Sequence, residues 1–240
     1  MKPIHYIQMG ILRNLLFSDG LRFSEMKSDE SLENNKFDFH LKELMKQGFI
    51  VKDENLYKLT DKGKEYANTM DTDEIKVQKQ AKIGAISVAL REVDGKWEYL
   101  IYTRLKQPFY GSQGFPSGKA KWGELFSATS KREFKEETNL DGKPELYKIR
   151  HYIVFKKGIS EEEKELVEDK VFFFHRIVNP TGELKPNNEG KFEWVKEVDL
   201  EKYLVKPFDS VQEVIDHANE AKNFNGTVTF EERHESTENF

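Results

Sequence analysis

Glu133, Glu136 and Glu137 stand three and four residues apart in SATSKREFKEETNL, a stretch with the composition of a helix. At that spacing three carboxylates project from one helix face within a single turn. Like charges so placed oppose the helix unless a counter-ion joins them. Hard cations such as Mg²⁺ take oxygen ligands, and Mg²⁺ is satisfied by one or two carboxylates together with the phosphates of a substrate. The chemistry on offer is metal-assisted work on a phosphate-bearing ligand. Just upstream, GSQGFPSGK supplies glycines that let backbone approach a ligand, Pro116 stiffens the turn, and Ser117 offers a carbonyl oxygen. Taken alone, KREFKEE reads as an ordinary Glu/Lys-rich surface helix. The spacing of the longer stretch argues otherwise.

That spacing runs Gly118, five residues, Glu124, seven residues, Arg132-Glu133-Phe134, one residue, Glu136-Glu137, one residue, Asn139-Leu140. It resembles the Nudix box, the signature of Nudix hydrolases, and departs from it at Asn139, where the family usually has glycine. That glycine ends the helix, and Asn is the residue next best able to take the left-handed conformation such an ending requires. Ser117 stands where many members have the first glycine of a pair. The resemblance covers about residues 80 to 222. It implies a mixed β-sheet between helices and hydrolysis of the pyrophosphate bond in a nucleoside diphosphate derivative, with Mg²⁺ or Mn²⁺ as cofactor. By the same resemblance Glu133, Glu136, Glu137 and the Ser117 carbonyl hold metal, while Glu124 and Arg132 orient the cluster through an ion pair. The general base stays open between Glu133 and Glu189, the latter in the loop PNNEGKFEW. Metal ions held in this way activate water and neutralise the pyrophosphate during in-line displacement.

Substrate choice should lie outside the box. Arg104 and Lys119 can meet phosphate beside the Gly118 backbone, and Phe109 or Tyr110 can stack on a base, although core packing is the commoner fate of such aromatics. ADP-ribose, dinucleotide polyphosphates, oxidised nucleotides and nucleotide sugars all fit this reading.

The elements that must position these residues begin near residue 82. KIGAISVALREV and KWEYLIYTRL read as strands joined by an Asp94-Gly95 hairpin turn, and further strands are expected at ELYKIRHYIVFKK, KVFFFHRIV and KFEWVKE. A last helix over SVQEVIDHANEAKNF starts at Asp209 or Ser210. GISEEEKELVED reads as a solvated loop or short helix, and the chain from about Thr227 as loosely held.

Ahead of this domain the pattern is helical. Ile4, Ile7, Ile11, Leu12 and Leu15 share one face of a first helix, RFSEMK suits a short second, and a third runs from about Asn35 to Gln47 with Phe37, Leu41, Leu44 and Met45 inward. FIVK and LYKLT flank a turn, and TDKGKEYANTM reads as a helix begun by Thr60 or Asp61. This run resembles a winged helix-turn-helix domain. The whole is therefore an α+β protein: a winged helix domain over 1–70, a linker over 71–81 and a Nudix domain over 82–240.

Composition narrows the rest. A chain of 240 residues with 18 Phe and 9 Tyr can build more than one core, and the absence of cysteine removes disulfides and thiolate metal sites. No run reaches eighteen consecutive apolar residues and no cleavable leader is visible, so a soluble cytoplasmic protein without membrane contact is expected. Residues 1 to 70 carry 11 Lys+Arg against 11 Asp+Glu, where a DNA reader usually shows a basic face. Three roles suit the N-terminal domain: an accessory or homodimerisation module of an enzyme, a DNA-binding domain whose Nudix partner senses a nucleotide, or a protein-protein module. A pure sensor could lose its metal carboxylates, and here all are present, which favours catalysis.

Overall fold

The computed structural model describes residues 4–27, 32–77, 79–156, 165–185 and 188–237. The chain forms two compact units, Met1–Lys79 and Gln80–Phe240.

In the first unit α1 (Tyr6–Leu16) begins at His5, whose ring nitrogen accepts from the Ile7 amide (3.2 Å) while Gln8 accepts from the amide of His5 (3.0 Å). α2 (Phe23–Met26) and α3 (Asn34–Lys46) follow. Ile7, Ile11, Leu12 and Leu15 pack with Met26, Phe37, Leu41 and Leu44 in one buried core. Met45, expected inward, is only partly buried against it. β1 (Ile50–Asp53) and β2 (Leu56–Leu59) form an antiparallel hairpin, and Leu21 makes a single antiparallel bridge to Tyr57. α4 (Asp61–Ala67) starts at Thr60, whose hydroxyl accepts from the Gly63 amide (3.0 Å). Across the boundary between the expected N-terminal domain and linker, β3 (Met70–Asp71) and β4 (Lys76–Val77) make a small hairpin.

The second unit is built on one mixed sheet. β5 (Lys82–Val93) and β6 (Lys96–Arg104) are joined by Asp94-Gly95, both at positive φ (51° and 71°), so the two-residue turn matches the twist of the strands. β7 (Gln113–Gly114) pairs with β6, and β8 (Ser117–Lys119) pairs with β5. Helix α5 (Phe126–Thr138) comes next, then β9 (Glu145–Lys156), β10 (Leu166–Val178) and β11 (Gly190–Lys196). A 3-10 turn leads into α6 (Leu200–Tyr203), α7 (Val211–Lys222) follows, and β12 (Thr229–Thr237) ends the sheet. Strand order is β11-β6-β5-β10-β9-β12, with β10 parallel to β5 and β12 parallel to β9.

Alternation along the strands sends side chains to two layers. Val88, Leu90, Tyr99, Ile101 and Phe174 pack toward Val214, Ala218 and Ala221 of α7. Ala89, Leu100, Tyr102 and Ile177 pack toward Phe134 of α5. Ser210 caps α7 by accepting from the Glu213 amide (3.2 Å), while Glu213 accepts from the amide of Ser210 (3.0 Å).

Two expectations are corrected. The chain after Thr227 is not loose: Thr229 to Thr237 pair with Lys148 to Lys156, because a parallel neighbour can be reached by the crossover through α7. The acidic stretch GISEEEKELVED is not all solvated: Leu166–Asp169 belong to β10 and Glu168 is buried against Lys82 (3.0 Å), while 158–164 lie outside the described residues.

Candidate active site

β8 fixes the loop before α5 onto the sheet. Ser117 pairs with Ile86 and Gly118 with Ala85, and the Pro116 carbonyl accepts from the Ser87 amide (2.8 Å). The chain then turns back at Lys121 and Glu124. The Glu124 amide donates to the Lys121 carbonyl (3.0 Å), and the Lys121 amide donates to the Glu124 carboxylate (3.0 Å). α5 buries Thr129, Ser130, Phe134 and Thr138, and the Ser130 hydroxyl meets that of Ser87 at 2.8 Å. A second face of the helix carries Arg132, Glu133, Glu136 and Glu137, of which only Glu136 is exposed.

Arg132 is the hub of that surface. Its Nε and Nη2 donate to the two oxygens of Glu124 at 2.6 and 2.8 Å, a bidentate pair of the strong, orienting kind. Nη1 reaches Glu133 (2.6 Å) and Glu136 (3.1 Å), and Nη2 also donates to the Lys119 carbonyl (3.2 Å). Glu124 further accepts from the Thr129 hydroxyl (2.8 Å). Arg132 first, and then the Lys121 amide, hold the Glu124 carboxyl well below the usual carboxylate range. Glu133 lies directly on Gly118: a Cβ at position 118 would come within 2.0 Å of its carboxyl carbon. Any larger residue there would push the Glu133 carboxylate out of its present position.

Glu137 is the partly buried member. Burial first, and then the charge of Glu133, push its carboxyl up to about 8, with Glu189 adding to the rise and Lys106 and Arg104 opposing it. Lys106 is ion-paired with Glu189. A helix carboxylate, a loop carboxylate and two cations therefore share one electrostatic neighbourhood.

The other sequence candidates fall as follows. The Arg104 guanidinium donates to the carbonyls of Pro108 (2.6 Å) and Gln107 (3.3 Å), so it latches the loop that carries Phe109 and Tyr110. Phe109 sits at φ 66°, partly buried, edge-on to Phe208 with ring centroids 6.2 Å apart. Tyr110 is 55% exposed, with its carbonyl held by Lys206 (2.8 Å). Lys106 was not among the residues expected from the sequence, although it lies two residues beyond Arg104.

The donor set suits a hard divalent cation. It is all oxygen, and Glu137, carrying a carboxyl whose charge is opposed by burial and by Glu133, is a group that a cation would return to the ionised state. Among the described residues no three acidic, imidazole or thiolate side chains already stand as a closed metal cage. Mg²⁺ does not demand one, since it keeps waters and shares substrate phosphates.

A family model for the NUDIX domain matches residues 81–217. Among solved structures the chain is similar to the mutator MutT protein of Bacillus halodurans, at 22% identity over 66% of this chain and 93% of that one, with a TM-score of 0.52. The NUDIX domain of Shewanella oneidensis NrtR, solved with ADP ribose, gives 18% identity over 69% and 100% of the two chains and a TM-score of 0.49. No curated protein sequence matches significantly. With the model spanning more than half of the chain, and the sheet, α5 and the Arg132-centred carboxylates set as described, the chain belongs to the Nudix family of pyrophosphohydrolases.

Proposed function

We propose that the second unit hydrolyses the pyrophosphate bond of a nucleoside diphosphate derivative with Mg²⁺ or Mn²⁺. The observation that carries this reading is the complete carboxylate surface of α5, ordered by Arg132 and backed by Gly118. Glu133, Glu136, Glu137 and the Ser117 carbonyl would hold the metal, which supplies charge neutralisation of the pyrophosphate and activation of water. Glu124 acts through Arg132, fixing the guanidinium so that the helix carboxylates keep their spacing. Of the two candidates for general base, Glu189 is the one proposed. Glu133 is engaged by Arg132 and packed on Gly118, as a ligand would be, whereas Glu189, ion-paired with Lys106, comes from a separate loop and acts electrostatically on Glu137. Lys119 and Arg104 supply positive charge beside the phosphates, and Phe109 and Tyr110 offer ring surface for a base.

The test is a panel of ADP-ribose, dinucleotide polyphosphates, oxidised nucleotides and nucleotide sugars, with Mg²⁺ or Mn²⁺ and products identified by mass. Cleavage of at least one is expected; cleavage of none with either metal would sink the enzymatic reading. For the first unit a winged helix domain is proposed, supported by three helices followed by a hairpin to which Leu21 bridges. The regulator reading is the weaker one, since a sensor has no need of the full carboxylate set.

A further inference from the structure

We propose that Lys170 is a substrate-binding residue that grips phosphate oxygens of the nucleoside diphosphate derivative, held in place by Glu168 and covered by the Phe109 ring. The identity of the anion rests on the pyrophosphohydrolase reading; the anion site itself does not.

Lys170 and Lys82 are direct neighbours across the parallel β5–β10 ladder, so their side chains share one face of the sheet. Like charges placed so are destabilising unless something lies between them. Glu168 does: it is 5% exposed, with one oxygen on Lys82 (3.0 Å) and the other on Lys170. One carboxylate between two ammonium groups leaves one positive charge over. Lys170 is also acted on by Arg104 and Lys119, which bring further positive charge, and by Asp209, which offsets it. Asp209 already lies 3.8 Å from Arg150 and accepts from the Tyr152 hydroxyl (3.3 Å). The neighbourhood is thus positive in excess, and burial with these cations lowers the Lys170 ammonium to about 8. An arriving anion removes that penalty.

Its position ties it to the chemistry. Arg104 acts on both Lys170 and Glu137, so the three groups share one electrostatic neighbourhood. The Lys170 ammonium stands over the Phe109 ring, 5.9 Å from its centroid. Phe109 keeps a left-handed backbone that a bulky residue adopts only where its surroundings enforce it, here the Arg104 latch on Pro108 and Gln107. Strain of this kind gathers at ligand-binding loops.

The probes are inorganic pyrophosphate and ADP, titrated calorimetrically into the full chain with a chelator present so that no metal contributes. Lys170→Gln should weaken both by about tenfold or more, the scale of a charged hydrogen bond, while Lys170→Arg stays within about threefold of the parent. On a cleaved substrate, Lys170→Gln should raise KM with kcat little changed, which a purely structural role would not produce. Thermal melts confirm folding, and Lys170→Met replaces Gln if the amide is not tolerated. Failure of the parent to bind pyrophosphate, or equal binding by folded parent and Gln or Met variants, overturns the assignment, as does an Arg variant as weak as Gln. Lys170-dependent binding in a protein that cleaves no member of the panel would retain the anion site and reject the hydrolase reading.

Discussion

In the proposed mechanism Glu137 and Glu189 divide the chemistry between a helix and a loop, and isosteric amides separate the roles proposed for them. Glu137→Gln removes a metal-binding charge at constant size, so turnover and apparent Mg²⁺ affinity should both collapse with little loss of folding. Glu189→Gln should lower kcat by roughly 10²–10⁴-fold, the range for a general base, and leave Mg²⁺ affinity nearly unchanged. If Glu189→Gln weakens Mg²⁺ as strongly as Glu137→Gln does, the loop acid is a ligand and Glu133 becomes the base. Lys170 gives the clearest dependence on pH. Its folded-state ammonium titrates near 8, below the ordinary lysine value of about 10.4. The folded protein therefore carries an unfavourable charge below about pH 8, which is relieved as pH rises from about 8 toward 10.4. Lys170→Met removes this effect, so its melting temperature should exceed the parent's at pH 7, with the gap narrowing by pH 10. A gap that is constant or widens across that range counts against the burial described here.

At the scale of elements, α5 shows how a helix end can serve a site. Asn139 takes φ 64° and ψ 5°, its amide nitrogen bonds the Lys135 carbonyl, and its side chain donates to the Glu183 carbonyl (2.9 Å). The left-handed ending follows from the residue's place after the last turn, but the bond to Glu183 does not, since it joins positions 44 apart. Glycine at 139 would keep the backbone and lose that bond, so Asn139→Gly should be less stable by about 0.5–1.5 kcal/mol and stay active. Asn139→Val adds backbone strain of about 1–3 kcal/mol, and with Glu137 two residues away its apparent Mg²⁺ affinity should fall together with its melting temperature. Melts and metal titrations on both variants decide it; a Val variant equal to Gly in both would remove the link between helix end and metal surface. The same division explains what the sequence made legible. α5, the Asp94-Gly95 hairpin and the α7 cap rest on neighbours a few residues apart, and they stand where local pattern placed them. β7 and β8 are two and three residues long and held by pairing with β6 and β5, with Gln113 also bridging to Pro207, too short for any period to show. β12 is strongly polar, and only its ladder with β9 makes it a strand. Lys170 owes its importance to Lys82 and Glu168, a grouping that exists only once β5 and β10 lie side by side.

Across the whole molecule, two units with separate cores raise the question of what the first contributes. Its third helix is the element a winged helix domain would lay in a DNA groove. There Lys42 is paired with Asp38 at 2.6 Å and Lys46 lies 4.0 Å from Glu43, so two of its three lysines already have acidic neighbours on the helix. DNA binding draws most of its affinity from unneutralised cations that displace counter-ions from phosphate. With the chain at a formal net charge of -5, little attraction to a duplex remains at long range. The full chain should therefore bind random duplex DNA no tighter than about 10⁻⁶ M at physiological salt, the upper edge of ordinary non-specific affinity. Fluorescence anisotropy with a labelled duplex, repeated across a salt series, measures both affinity and the number of phosphates contacted. If affinity is tighter than that and falls steeply with salt, the exposed cations do act on phosphate and the nucleotide-sensing regulator returns. In that case Lys42→Ala should reduce the salt slope by close to one contact, because that side chain would have to leave Asp38 to reach the backbone of the duplex.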